Sequence, residues 1–235
     1  MSIAENIAAI RAKMDEAARH CGRDPKEILL CAATKMNDAD AVRQAIRGGV
    51  DCCGENRVQE LVQKQAENAY EGAPVHFIGH LQTNKVKQVV GKVDLIQSVD
   101  SLRLLKAIDA EAAKQGIRQQ ILLEVNIGQE QSKSGFQRDE ILPLFEQISD
   151  FSHILVRGLM AIPPISQNSG DNRKFFQEML QLSVDITAKK YDNVSMDFLS
   201  MGMSDDYEDA ICCGSTMIRV GTAIFGARNY AKLHP

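Results

Sequence analysis

Lys35 closes the run Ile28-Leu29-Leu30-Cys31-Ala32-Ala33-Thr34. An ammonium at the end of a buried strand is partly stripped of water, and desolvation favours the neutral amine. A neutral lysine is a nucleophile toward carbonyl carbon, which is what imine formation needs. Composition alone favours a plainer reading, a strand-end lysine whose head reaches solvent. Further along, Gly202, Ser204, Gly221 and Thr222 supply the turns, hydroxyls and backbone N–H groups that barrel proteins use to hold phosphate. Taken singly, the glycines read equally well as tight turns. Arg219 adds a permanent cation suited to clamping a phosphate or facing a ring nitrogen.

The elements that must position these residues alternate along the chain. Short apolar runs at Ile28–Thr34, Val50–Cys53, Val75–Ile78, Leu95–Val99, Gln120–Asn126, Ile154–Met160, Asp197–Ser200 and Met217–Val220 read as strands. Helical spacing fills Asp38–Arg47, Asn56–Asn68, Ser101–Lys114, Asp139–Ile148 and Asn172–Lys189. A further helix over Ser2–His20 precedes the first strand. Apolar, non-alternating strands separated by helices mean a parallel sheet covered by helices. Eight such units in this length predict a closed (β/α)8 TIM barrel with an additional N-terminal helix. An open doubly wound sheet is the runner-up, and no Gly-x-Gly-x-x-Gly follows the first strand to favour it. In a barrel the strand ends meet at one mouth, bringing Lys35, Asn56, His80, Asp100, Asn126, Ser204, Arg219, Gly221 and Thr222 together. An imine-forming lysine, a phosphate cradle and an inward arginine describe a site for pyridoxal 5′-phosphate (PLP).

Composition narrows the remaining possibilities. The 235 residues carry 27 Lys+Arg against 31 Asp+Glu, a net charge of −4, with an isoelectric point near 5.8. That balance argues against nucleic acid as the main partner. No apolar run is long enough to span a membrane, and the N-terminus lacks the pattern of a signal peptide. The expectation is a cytoplasmic protein with residues 1–235 in one domain. Cys21, Cys31, Cys52, Cys53, Cys212 and Cys213 include no Cys-x-x-Cys. They read as reduced, mostly buried thiols rather than a disulfide framework or a zinc site.

With these residues in view, the sequence resembles the pyridoxal phosphate homeostasis proteins, a family similar to the barrel domain of alanine racemase and ornithine decarboxylase. The resemblance rests on Ala32-Ala33-Thr34-Lys35, Gly54-Glu55-Asn56-Arg57-Val58-Gln59-Glu60 and His76-Phe77-Ile78-Gly79-His80-Leu81-Gln82-Thr83-Asn84-Lys85. It continues through Ser98-Val99-Asp100, Glu124-Val125-Asn126-Ile127, Lys133-Ser134-Gly135 and Gly158-Leu159-Met160. It closes with Leu199-Ser200-Met201-Gly202-Met203-Ser204-Asp205-Asp206 and Arg219-Val220-Gly221-Thr222-Ala223-Ile224-Phe225-Gly226. It implies a fold-type III PLP barrel in which Lys35 forms a reversible Schiff base with PLP. It further implies that Ser204, Gly221 and Thr222 hold the phosphate, that Arg219 faces the pyridine nitrogen, and that Asn56 lies near the ring. Two positions depart from the family pattern. Met36-Asn37-Asp38 stands where Thr-Lys-Pro usually follows the lysine, and Gln97 replaces a histidine often found before Ser-Val-Asp.

The resemblance implies intracellular PLP homeostasis rather than turnover. An arginine at the pyridine nitrogen keeps it unprotonated and makes the ring a weak electron sink. Related racemases take a second acid–base tyrosine from an added β domain, for which this chain, ending at Pro235, leaves no room. Tyr70, Tyr191, Tyr207 and Tyr230 fall at no expected strand end. The expected protein is a monomeric PLP carrier, with PLP-dependent apo-enzymes as candidate recipients. The alternatives are a single-domain racemase or decarboxylase using the same site, and an aldolase forming imines with phosphosugars. Lys133 reads either as a second cofactor contact or as a solvated loop lysine. His76 reads as packing, while His80, Glu55 and Asp100 are placed at the mouth.

Overall fold

Ser2 accepts a hydrogen bond from the Glu5 N–H, and Glu5 accepts one from the Ser2 N–H. This reciprocal cap starts helix α1 (Ile3–His20) one residue inside the expected boundary. The computed structural model describes residues 1–165, 168 and 170–226, so the part of the expected domain beyond Gly226 lies outside the described residues. Eight strands follow α1: β1 (Leu29–Ala33), β2 (Cys52–Glu55), β3 (Val75–Phe77), β4 (Leu95–Val99), β5 (Gln119–Val125), β6 (Ile154–Ala161), β7 (Val194–Ser200) and β8 (Met217–Val220). They pair in parallel and in chain order, and β1 closes against β8 with Cys31 opposite Arg219. The predicted barrel is the observed one.

The helices α2 (Ala39–Arg47), α3 (Val58–Ala66), α4 (Leu102–Gln115), α5 (Arg138–Phe145), α6 (Arg173–Thr187), α7 (Tyr207–Cys212) and α8 (Thr222–Phe225) connect the strands. A 3-10 segment at Thr83–Gln88 serves between β3 and β4. The last of these helices spans only four residues, too short to cover β8 and β1. The N-terminal α1 takes that position: Ile7, Ile10 and Met14 pack with Leu30, Ile218, Val220 and Ile224. Most of the remaining apolar side chains lie between the strands and α2–α6. A smaller interior cluster of Cys31, Cys52, Leu95, Leu122, Met160 and Met217 fills the barrel itself.

Three expectations shift. Strand β2 runs two residues later than predicted, through Gly54 and Glu55, because pairing with β1 and β3 on both sides overrides their poor strand propensity. Strand β7 begins at Val194, where Ser195 and Asp197 alternate outward and mask the apolar pattern. The third is a correction. The six cysteines are not all reduced: Cys21, at the end of α1, is disulfide-bonded to Cys212 of α7, with Cα atoms 5.3 Å apart. The two lie 191 residues apart in sequence, and only the docking of α1 against α7 brings them together.

Candidate functional site

The turn after β1 is fixed from several directions. Thr34 donates its N–H to Gly54 O at 3.0 Å, and Asn37 donates its N–H to Thr34 O at 3.2 Å. Met36, in the left-handed region at φ 62°, donates its N–H to Glu60 Oε2 at 2.7 Å. The Asn37 side-chain amide donates to Lys35 O at 3.0 Å. Lys35, half-buried, therefore projects from a backbone with few alternatives.

Behind this turn lies a buried ionic network. The Lys64 ammonium of α3 donates to Thr34 O at 2.8 Å and to Glu55 Oε1 at 2.7 Å. The same carboxylate oxygen accepts from the Thr34 hydroxyl at 2.5 Å and from Tyr70 at 3.2 Å. Glu55 is thus a brace for the Lys35 turn, set back from the mouth.

Register gathers the six predicted residues on one arc of the barrel. Ala33 pairs with Gly54, placing Asn56 beside the Lys35 turn. Ala32 pairs with Val220, and a Cβ on Gly221 would come within 3.3 Å of Ala33, so Gly221 and Thr222 adjoin it on the other side. Arg219 donates its N–H to Gly202 O at 3.0 Å, which joins the Ser204 loop to the end of β8. The turn at Gly202 has φ 94°, and a Cβ there would lie 2.6 Å from the Ala210 Cβ. Only glycine fits. Among the described residues, nothing donates a hydrogen bond to the buried Asn56 Oδ1, an acceptor suited to a donor from outside the chain.

Arg219 points into the barrel. Its guanidinium donates to the Ser200 hydroxyl at 2.6 Å and to Ala161 O at 3.0 Å. Ser200 donates in turn to Gln97 Oε1 at 2.7 Å, and the Gln97 amide lies 2.9 Å from His76 Nδ1. The histidine expected merely to pack is therefore part of a polar chain through the interior. At its end, the hydrogen bond with Cys52, helped by His76 and the Arg219 charge, draws the Cys31 thiol down to about 6 against the opposing effect of burial.

On the other side of the mouth, Asn56, Ile78, Gly79, His80, Glu124, Val125, Lys133, Ser134 and Ile162 line a cavity of about 260 Å³. His80 Nδ1 lies 2.9 Å from Asp100 Oδ2. Lys133 pairs with Glu130 and donates to Pro163 O at 3.1 Å, so this loop lysine faces the cavity rather than bulk water. Asn126 holds the same loop by accepting the Glu130 N–H at 3.2 Å. Among the described residues, no tyrosine lines this wall. Tyr70 binds Glu55, Tyr191 packs on Phe145, Tyr207 lies in the outer core and Tyr230 falls outside the described residues.

Glu124, to which the sequence assigns no role, is a buried carboxyl lining this mouth. Burial, reinforced by the Asp100 charge, raises its carboxyl from 4.5 to about 7, with Arg219 and His80 pulling the other way. The folded state thus holds a proton that the unfolded chain releases near 4.5. Stability falls as pH rises through that window and stays lower above it. We expect Glu124→Gln to remove a pH-dependent penalty on the order of 2–3 kcal/mol. Urea midpoints of both proteins on either side of the window measure it; parallel pH profiles would contradict it.

Comparisons with known proteins bear on the family and the fold. The family model described as alanine racemase, N-terminal domain, matches residues 5–229. The chain is 37% identical over 233 residues to the pyridoxal phosphate homeostasis protein of Haemophilus influenzae, covering 98% of each. It is 40% identical over 233 residues to that of Escherichia coli K12, again covering 98% of each. The structure of PipY from Synechococcus elongatus with PLP bound superposes with a TM-score of 0.83 at 31% identity, covering 96% of this chain and 100% of that one.

Proposed function

From the premise that this chain belongs to the pyridoxal phosphate homeostasis protein family, we propose that it binds PLP covalently and reversibly on Lys35 and buffers its supply. The observation that carries this reading is the continuous arc formed by β7, β8, β1 and β2. It brings Ser204, Arg219, Gly221, Thr222, Lys35 and Asn56 to one side of the mouth. The residues present suit the group. Glycine turns leave backbone exposed for a phosphate, Asn56 offers an unpaired acceptor, and Arg219 stands inward as a cation. Bound PLP supplies an electrophilic aldehyde; the Lys35 nitrogen forms a C=N bond to that carbon as one water leaves. Ser204 and Thr222 offer hydroxyls to the phosphate, while Gly221 leaves room for it beside Ala33.

Holding without turnover follows from the same residues. A guanidinium facing the pyridine nitrogen keeps it unprotonated, so the ring accepts electrons poorly. Ser200 and the Ala161 carbonyl hold that guanidinium from behind. Delivery to apo-enzymes, a cytoplasmic location and a monomeric state belong to the same proposal. Among the described residues, no helix is long and apolar enough to cross a membrane. One observation favours an enzyme instead: Glu124 at the mouth titrates near neutrality and could move a proton. Turnover of L- or D-alanine at an enzyme-like rate, lost in Glu124→Gln, would establish that second reading.

The direct test saturates the protein with PLP, reduces it with borohydride and maps the product by mass. One adduct per chain, on the peptide containing Lys35, is expected. An adduct confined to other lysines, or none, would overturn the reading.

A further inference from the structure

Below the mouth, three metal-ligating side chains from three successive strands face one another inside the barrel. Cys31 of β1, Cys52 of β2 and His76 of β3 are 0%, 2% and 6% exposed. Their sulfur atoms and a ring nitrogen all lie within 4.8 Å of one another. Register explains the convergence. Cys31 and Cys52 are direct partners across β1 and β2, and His76 is the partner of Gly54 across β2 and β3. Gly54 has no side chain to intervene: a Cβ there would lie 2.9 Å from the Cys31 sulfur. The glycine gap thus lets the His76 ring and the Cys31 thiol meet across the intervening strand.

We propose that Cys31, Cys52 and His76 bind a thiophilic d10 cation, Zn2+ or Cu+. Two thiolates and an imidazole are the soft and borderline donors these ions select. With metal–sulfur bonds near ~2.3 Å and metal–nitrogen bonds near ~2.0 Å, the donor atoms should stand roughly 3.5–3.8 Å apart. Donors already confined within 4.8 Å need only a small contraction to reach that geometry. Binding forms two S–metal bonds and one N–metal bond, and any proton still carried by either sulfur is released to solvent as its S–H bond breaks. Two thiolates neutralise Zn2+ in this dry interior. With Cu+ they leave one negative charge, and Arg219, the β8 partner of Cys31, is the compensating cation.

An outer shell is also present. Gln97, held by Ser200 and through it by Arg219, lies against His76 Nδ1 and leaves Nε2 for the ion. Ligation through Nε2 places the ring proton on Nδ1. The Gln97 carboxamide accommodates this by a half-turn that presents its oxygen, and Ser200 then accepts from the amide. The set also differs from a surface binding site in having no exposed member, so a bound ion should exchange slowly.

The test uses the full-length protein, reduced and free of PLP, with Zn2+ alone in one arm and Cu+ alone, under anaerobic conditions, in the other. After desalting, one equivalent per chain should remain with at least one ion, and competition against a chromophoric chelator ranks the two. Cys31→Ser and Cys52→Ser should each weaken binding upward of ~100-fold, whereas Cys53→Ser and the double variant Cys21→Ser/Cys212→Ser should retain it. Co2+ supplies a readout on the unaltered chain, so that a poorly folded variant does not decide the outcome: thiolate-to-cobalt charge-transfer bands should appear and be displaced by Zn2+. Failure to retain either ion, equal retention by the Cys31 and Cys52 variants, or formation of a Cys31–Cys52 disulfide in place of metal uptake would overturn the proposal.

Discussion

Lys35→Ala should gain no mass on borohydride reduction in the presence of PLP, against one adduct per chain for the unaltered protein, and its imine absorbance should vanish. Alanine has no amine, so the loss is complete rather than graded. Lys35→Arg should behave alike, because a guanidinium keeps the charge but remains protonated and does not add to an aldehyde. Stability should change little in either case. The side chain is half-buried at the mouth, and backbone N–H groups of the turn beneath it are held by Gly54 and Glu60. Thermal melts and intact mass together separate the loss of a nucleophile from the loss of a fold. An undiminished adduct in Lys35→Ala would move the covalent site elsewhere, and Lys133, which faces the mouth cavity, would be the first place to look.

The second large effect is expected behind the site. Lys64→Met should destabilise the protein by about 3–5 kcal/mol, the usual cost of leaving one member of a buried ion pair uncompensated. The Lys64 and Glu55 side chains are 6% and 0% exposed, with little water to replace the missing ammonium. Methionine fills much of the same space, so the loss reports on charge rather than on a cavity. Adding Glu55→Gln should recover a large part of it, because the stranded carboxylate is gone. Denaturant unfolding of the two single variants and the double variant forms the required cycle. A loss below about 1 kcal/mol in Lys64→Met would show that the pair does not brace the barrel. Lys64 also donates to Thr34 O, so PLP uptake by Lys64→Met should weaken even at temperatures where the chain stays folded.

What the sequence made legible follows from how local each signal is. Strand β4 and strand β8 fall on the predicted boundaries because apolar residues mark both ends of each, Leu95-Ile96 and Val99 in one and Met217-Ile218 and Val220 in the other. The strand-end residues of the candidate site were legible for the same reason, since a βα repeat sends every strand end to one mouth. Lys64 was legible in principle: it follows Val58 and Leu61 at three-residue steps and so lies on the buried face of α3. Its charge hid it. Glu124 sits within an apolar strand run, a place where a carboxylate invites attention, but only the fold shows Asp100 facing it. Cys31, Cys52 and His76 left no local trace, because their meeting depends on register between strands and on a missing side chain at Gly54. The pairing of Cys21 with Cys212 was equally invisible, being a product of closure alone.

That last bond turns most of the polypeptide into a covalent loop. Both sulfurs lie outside the strands, and every one of the eight staves falls between them except the last, which begins only after Cys212. A single proteolytic nick anywhere inside the loop should therefore leave the two fragments migrating as one species on a non-reducing gel. They should separate only when a thiol is added to the sample.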